Sequence, residues 1–540
     1  MKIINSARFR ATLIAALLTS ASSAALAQTA APPVDPRDAK IDQLEAEVRA
    51  LASEVQDMKR SQAEEIQTLK TDAKPIPATP PSAIATIANG RPTISSADGQ
   101  FTATFHAIMQ FDVGQYDQAS AGPITTDFRR DGPALGASAT NVDLAHARHL
   151  KDGDDFRRSR FGIDGTVYGD WDYRFLLDFG GTGVENTGQI YETWVQYSGL
   201  KPFKFRVGAF PPSIGLEDQG STNALTFLER SADSDISRGL AAGDTRTAAE
   251  IFATGDHWLA SGAITGRTIG VLNTGTASAV PQTYSDQLAF VGRLAGTPLH
   301  GSDWLLHLGV HGTYVFRPAD SSGPSAAGVT PITSSVIAFS NTPELRVDGT
   351  KFINTGNIPA RNASTIGPEF ALQKQNLLLQ GEYDHYNVDR SDGLSNPSFN
   401  GYYVEGVWVI TGEARKYNTA TAAFDAPPVA HPFSLHGGGW GAFEFGIRYS
   451  DMDLNYHAGK AGTLQVGDSI RGGEEQNLTA ALNWYPNNVV HFDFDYAHVR
   501  IDRLSPATTT ATAASIWQAP VGAQIGQNYD VFSMRSQFAF

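Results

Sequence analysis

This chain has no cysteine among its 540 residues, so no disulfide staples the fold and no thiolate can hold a metal or carry redox chemistry. It also lacks any run of 18 or more apolar residues, which excludes a bundle of membrane-spanning helices. Positive charge is in deficit: 41 Lys and Arg stand against 56 Asp and Glu, a formal net charge of −15 at pH 7. That balance argues against nucleic acid as a partner. No G-x-S-x-G, H-E-x-x-H or P-loop pattern occurs, so the signatures of serine hydrolases, zinc proteases and nucleotide-binding loops are missing. His436-Gly437-Gly438-Gly439 has the form of an oxyanion loop, but without a nucleophile elbow it reads as a flexible turn. The sequence thus gives no reason to expect an enzyme, a metal site or a cofactor.

What is present points outward from the cytosol. Lys2, Arg8 and Arg10 precede the apolar stretch 11–18, and Ala25-Leu26-Ala27 forms a small-residue cleavage site before Gln28. Residues 1–27 therefore read as a secretory signal peptide; the apolar core is too short for a membrane anchor. Mean hydropathy is −0.22 and hydrophobic content 41%, averages typical of a soluble protein. A membrane β-barrel hides in such averages, because only alternate residues face lipid. The 52 glycines and the 10% of aromatics suit its turns and its girdles.

Residues 28–72 read as a coiled-coil segment. Ile41, Leu44, Val48, Leu51, Val55 and Met58 recur at 3-4-3-4-3 spacing, an a/d seam. The register breaks at Gln62 and resumes at Ile66 and Leu69. The seam predicts a clasp between protomers; a solitary amphipathic helix lying on the barrel mouth is the alternative. Ile and Val at a with Leu at d favour dimers in model peptides, a preference that contacts between barrels would override. Residues 73–92, with Pro75, Pro77, Pro80, Pro81 and Pro92, read as a semi-extended linker.

Over 93–540 the period changes to two. Phe101, Ala103, Phe105, Ala107, Met109, Phe111 and Val113 alternate with polar residues, Ile108 being the exception. The pattern recurs, for instance with Phe161, Ile163 and Val167 opposite Arg160, Asp164 and Thr166. Charges on the polar face are frequent, which suits a wet lumen. The alternation predicts about 16 antiparallel strands at 101–116, 157–168, 172–180, 189–198, 203–210, 248–254, 258–270, 287–295, 304–316, 366–374, 377–388, 401–411, 441–451, 476–485, 489–501 and 531–540. Short turns at 168–172, 199–202, 255–257, 375–376 and 485–488 alternate with long polar connections at 117–156, 211–247, 317–365, 452–474 and 502–530, the asymmetry of an outer-membrane barrel. An even count puts both barrel termini and most short turns on the periplasmic side, and makes 412–440 a long connection on that side. Phe532, Met534, Phe538 and Phe540 share one face of the last strand, the form of segment that barrel-assembly machinery reads.

Several stretches, in order, resemble the phosphate-selective porin O/P family over essentially the whole barrel. They are R-P-T-I-S-S-A-D-G-Q-F (91–101), F-R-R-S-R-F-G-I-D-G (156–165), Y-G-D-W-D-Y-R-F (168–175), R-V-G-A-F-P-P-S-I-G-L-E (206–217), F-L-E-R-S (227–231), G-Y-Y-V-E-G-V-W-V-I-T-G-E (401–413) and N-W-Y-P-N-N (483–488). The resemblance implies a 16-stranded homotrimeric porin of the Gram-negative outer membrane, in contact with lipid and lipopolysaccharide, with inward-folded loops narrowing the pore. It would pass small hydrophilic solutes, anions such as phosphate among them.

Passage of an oxyanion calls for Arg and Lys along a constriction, where guanidinium forks match its oxygens, with binding weak enough to allow release. The resemblance places Arg157 and Arg158 as the family's arginine pair. By alternation Arg158, Arg160, Arg174, Lys204 and Arg206 face the lumen, with Arg157 at the strand lip. Each cation has an equally simple alternative as a salt-bridge partner of Asp164, Asp172 or Asp178. Departures are plain: Ile108, Asp172, Asp218 and Asn223 stand where the family carries cations, so tight phosphate selectivity does not carry over. Two other functions remain open at this point. One is a barrel hydrolase of the outer membrane using a Ser and His at the lumen or lipid edge, which would hydrolyse lipid. The other is a structural or adhesin barrel tethered through 41–70, which would not conduct.

Overall fold

The computed structural model describes residues 36–72, 83–88, 90–118, 150–181, 188–240, 245–269, 287–319, 335–506 and 521–540; the segment read as a signal peptide lies outside them. The chain divides into two units, 1–80 and 81–540. The first contains α1 (Pro36–Asp72), one helix of 37 residues. It runs without interruption through Gln62, where the heptad breaks. Ile41, Leu44, Val48, Leu51, Val55, Met58 and Ile66 are 45–63% exposed, so the helix leaves its own apolar seam uncovered. Pairs such as Glu45–Arg49 (2.9 Å) support the polar faces only weakly.

The second unit is a closed barrel of 16 antiparallel strands: β1 (Thr102–Asp117), β2 (Gly153–Val167), β3 (Trp171–Asp178), β4 (Gln189–Tyr197), β5 (Phe203–Phe210), β6 (Arg246–Thr254), β7 (Trp258–Thr268), β8 (Leu288–His300), β9 (Trp304–Arg317), β10 (Ile358–Lys374), β11 (Leu377–Arg390), β12 (Ser398–Val409), β13 (Ala442–Tyr456), β14 (Ile470–Tyr485), β15 (Val490–Asp502) and β16 (Asn528–Ala539). Each pairs with its neighbour in sequence. Closure is made by β16 on β1, from Asp530↔Asp117 to Ala539↔Ile108. Phe540 completes the seam by exchanging hydrogen bonds with Ala107 (3.0 and 3.2 Å). A closed sheet leaves no unpaired edge facing lipid. Every expected strand is found. Several extend further at the long-loop end: β10 begins at Ile358 rather than 366, and β14 at Ile470 rather than 476. A hairpin, Ala83–Ala88 with Arg91–Ser96, precedes the barrel and pairs with the base of β1, so the stretch read as linker over 73–92 includes an ordered strand.

The side chains are inverted relative to a water-soluble protein. Phe161, Phe175, Val207, Leu308, Ile366, Val404, Ile447, Leu478 and Phe494 are exposed on the outer face, while Arg158, Arg246, Arg293, Arg448, Arg471 and Arg535 are among the largest fully buried side chains. Charged residues are almost never buried unless paired, and an exposed apolar band of this extent marks a lipid-facing surface. Exposed aromatics line it: Trp171, Trp258, Trp304 and Trp408 lie toward the short turns, Tyr383, Tyr449 and Tyr496 near mid-strand, and Tyr314 and Tyr402 toward the long loops. Trp304 and Tyr314 lie on one strand, separated by about 33 Å at the usual rise. A strand tilt of about 40° reduces this to about 25 Å, the height of the apolar band of such barrels.

Among the described residues, three connections fold into the lumen. The one between β5 and β6 carries α2 (Leu216–Gln219) and α3 (Ala232–Gly239). The second, 335–357 before β10, packs Leu345, Val347 and Phe352 against Leu228 and Ile236 in a shared apolar cluster. The third, between β12 and β13, enters from the short-turn end, where strand parity places it. Ala423 and Phe424 join Leu216, Leu378 and Val407 in a second cluster.

Candidate functional site

Where these connections leave the lumen open, a recess of about 460 Å³ runs along the wall of β1–β5. Arg160 on β2, Arg174 on β3 and Arg206 on β5 line it, with Tyr191, Glu192 and Trp194 of β4 between them. Strand alternation sends these residues inward, and adjacent strands stack them into one patch. Facing them are Asp218–Asn223 from the first inward connection and Asn418, Thr421 and Asp425 from the third. Arg91, His106, Ile108 and Phe540 complete the lining near the short turns.

The guanidiniums are held on two sides. Arg160 lies 3.5 Å from the Tyr191 ring centroid and Arg206 lies 4.6 Å from that of Trp194. Stacking of this kind fixes an arginine without consuming its N–H edge. Each also has an acid: Arg160 Nε donates to Asp178 Oδ2 (2.8 Å), Arg174 reaches Asp164 (3.4 Å) and Glu192 (3.3 Å), and Arg206 lies 3.6 Å from Glu250. Of the lining cations, Arg230 lies 3.6 Å from Asp218. Local charge is therefore close to balanced. Asp425 sits in this wall with its carboxyl pushed above the usual range by burial.

Of the six cations singled out from sequence, the structure brings Arg160, Arg174 and Arg206 together in the recess. It sets Arg157, Arg158 and Lys204 apart from it. The Lys204 ammonium lies 5.5 Å from the Phe252 ring centroid. Arg157 donates through Nε and Nη2 to Glu229 (2.8 and 3.1 Å), and Arg158 reaches the same carboxylate at 3.4 Å while donating to Gln110 Oε1 (2.7 Å). Arg535 adds a third guanidinium at 2.9 Å and is itself held bidentately by Asp112 (2.7 Å). Burial raises the Glu229 carboxyl, but the surrounding guanidiniums outweigh it and hold it well below the usual carboxylate range.

Two further charge centres fix the inward connections. Glu369 receives Arg293 (2.9 and 2.8 Å), His311 (2.9 Å) and His307 (3.2 Å), and Arg293 also donates to the carbonyls of Thr421 (2.6 Å) and Ala422 (2.9 Å). His311, Glu369 and Glu382 are near enough to share a metal ion. Their oxygens are already used, however: Glu382 accepts from the amides of Leu216 and Glu217 and from Tyr403 Oη. The donor set fits an internal brace better than a metal centre. Arg415 is held by Glu444 (2.7 and 2.6 Å) and donates to the carbonyl of Ala224 (2.7 Å), which joins the third connection to the first.

Sequence reasoning missed Glu229, Arg535, Asp112 and the stacking of Arg160 on Tyr191 and of Arg206 on Trp194. The one available signal was the acid Glu229 inside the motif stretch F-L-E-R-S, set against the three arginines of F-R-R-S-R.

A family model described as "Phosphate-selective porin O and P" matches residues 132–540. Porin O of Pseudomonas aeruginosa is 28% identical over 365 residues, covering 65% of this chain and 77% of that protein. Among solved structures, an anion-selective porin from Comamonas acidovorans aligns with a TM-score of 0.42 at 13% identity, over 82% of this chain and 100% of that one. OprB of Pseudomonas putida aligns with a TM-score of 0.44 at 9% identity, over 81% and 94%.

Proposed function

We propose a function from one premise: the chain belongs to the phosphate-selective porin O and P family. It is an outer-membrane porin, a passive channel for small hydrophilic solutes. The observation that carries the finer reading is the recess on β1–β5, where Arg160, Arg174 and Arg206 line a polar path between connections from both mouths. The short-turn end is periplasmic and the long loops are extracellular. Anions pass with weak preference, because each of these three arginines already faces a carboxylate. A field focused in a low-dielectric throat depends on net charge there, and the net here is small. Arg174 and Arg206 are the residues we assign to the solute path. Phosphate is accommodated without a tight site; Ile108 and Asp218, which stand where the family has cations, both line the recess. The protein assembles as a homotrimer through its barrels in contact with lipopolysaccharide. The exposed seam of α1 supports a periplasmic coiled coil between protomers, since an a/d stripe of this spacing packs against a partner helix.

Planar-bilayer recordings under a salt gradient test this reading. Stepwise conductance with a reversal potential slightly on the anion side is expected, with phosphate blocking chloride current only at millimolar levels or above. Block at micromolar phosphate, or a strong cation preference, would refute it.

A further inference from the structure

We infer that Glu229 is the positioning residue of this channel: its carboxylate draws Arg157, Arg158 and Arg535 together and thereby pins the inward β5–β6 connection to the barrel wall. The inference rests on the porin reading and goes beyond it, because it gives the arginine pair a mechanical task in place of solute contact.

The geometry is that of a clamp. Glu229 is 2% exposed and meets guanidiniums from two strands that lie on either side of the closing β1. Arg157 and Arg158 come from β2, and Arg535 from β16. Arg346 of the second inward connection stands 3.8 Å away. Besides Glu229, these four cations have two neighbouring acids, Asp112 (2.7 Å from Arg535) and Asp235, which binds Arg346 and is also held by Arg238 (2.7 Å). Without Glu229, four guanidiniums would crowd one buried pocket with two carboxylates. Repulsion of that kind is weakly screened away from water.

Backbone contacts of the same stretch transmit the clamp. The Leu228 carbonyl accepts from Arg535 and the Leu228 amide donates to Asp495 Oδ2 (2.9 Å), while the Glu229 carbonyl accepts from Arg448 Nη2 (2.9 Å). Upstream, Gln110, which accepts from Arg158, donates to the Thr222 carbonyl (2.9 Å). Residues 218–223 are the face this connection turns to the recess. Fixing Glu229 therefore fixes one wall of the solute path from behind, although Glu229 does not line it.

The test is made on the full-length protein in planar bilayers, comparing native, Glu229→Gln, Glu229→Asp and the double variant Glu229→Gln/Arg157→Gln. Glu229→Gln keeps the size of the side chain and removes its charge. Its open-channel current is expected to flicker, and the anion-to-cation permeability ratio to rise about twofold or more, since uncompensated cations then stand behind the path. The double variant restores the local balance, so its noise and reversal potential are expected to return toward native. Glu229→Asp is expected to stay near native in selectivity. If Glu229→Gln fails to insert, insertion of the double variant with near-native selectivity supports the clamp, and its failure to insert overturns it. Native reversal potential and noise in Glu229→Gln also overturn it. A native protein that never conducts would instead defeat the porin reading, before any variant is compared.

Discussion

Arg415→Ala removes the bolt between the connection at the short-turn end and the barrel. The guanidinium makes two bonds to Glu444 (2.7 and 2.6 Å) and one to the Ala224 carbonyl (2.7 Å), with the two side chains 4% and 0% exposed. Truncation leaves Glu444 with Asn483 Nδ2 (3.3 Å) and Tyr485 Oη (3.2 Å), neither of them cationic. Breaking a buried ion pair from one side costs about 3–5 kcal/mol. The barrel strands keep their ladder, so the cost falls on docking of the connection. A loss of this size shifts the docked-to-released ratio by about 150- to 5,000-fold. A thiol reports it cleanly, because the chain has no cysteine of its own. Ala423 is 1% exposed in the apolar cluster with Leu216 and Phe424, so Ala423→Cys is protected while the connection is docked. Its reaction rate with a small methanethiosulfonate follows the released fraction when reclosing is fast. Adding Arg415→Ala is expected to raise that rate by about 100-fold or more and to increase single-channel conductance. A rate within about threefold of the parent, with conductance unchanged, would show that Arg415 does not hold the connection.

Three further outcomes follow from the same contacts. Arg174→Ala and Arg206→Ala, taken singly, are expected to move the reversal potential toward cations, and a double variant further; no movement in either would leave both as structural salt bridges. Burial raises the Asp425 carboxyl, so its negative charge is lost at a higher pH than that of an exposed Asp. Acidification through that range is expected to shift selectivity toward anions, and Asp425→Asn to produce part of this shift at neutral pH and to shrink the remaining pH response. Deleting 41–70 is expected to lower the temperature at which trimers dissociate on semi-native gels while leaving conductance intact; loss of insertion would give the helix a larger part.

The barrel was legible because one physical rule governs it. Lipid outside and water inside force period-two alternation, and this located all 16 strands and the odd long turn at 412–440. Strand ends were less legible at the long-loop end. Beyond the bilayer both faces of a strand meet water, so the alternation that marked 366–374 fades over Ile358–Thr365 while the ladder continues. The site was half legible. Alternation turned Arg158 and Arg160 inward and left Asp164, Asp172 and Asp178 open as partners for any of the cations; the structure pairs Arg160 with Asp178 and Arg174 with Asp164. What alternation cannot supply is depth and company. Arg158 and Arg160 share a strand face, yet Arg158 meets a carboxylate 71 positions away in sequence. Arg535 meets Glu229 across 306 positions. Such pairings depend on how loops enter the lumen, and loop entry carries no periodic signal. Expected partners also rearranged: Asp172 takes Gln196 (2.9 Å) and Ser198 rather than a cation.

The central claim is that this barrel is an open, passive path whose selectivity is set by a nearly balanced recess. The most direct measurement is the reversal potential of single channels of the purified protein under a tenfold potassium chloride gradient, with conductance recorded in the same traces. The account predicts discrete, ohmic steps and a reversal potential displaced modestly toward chloride. Bilayers that take up the protein and show no steps, or a reversal potential close to the potassium limit, would contradict it.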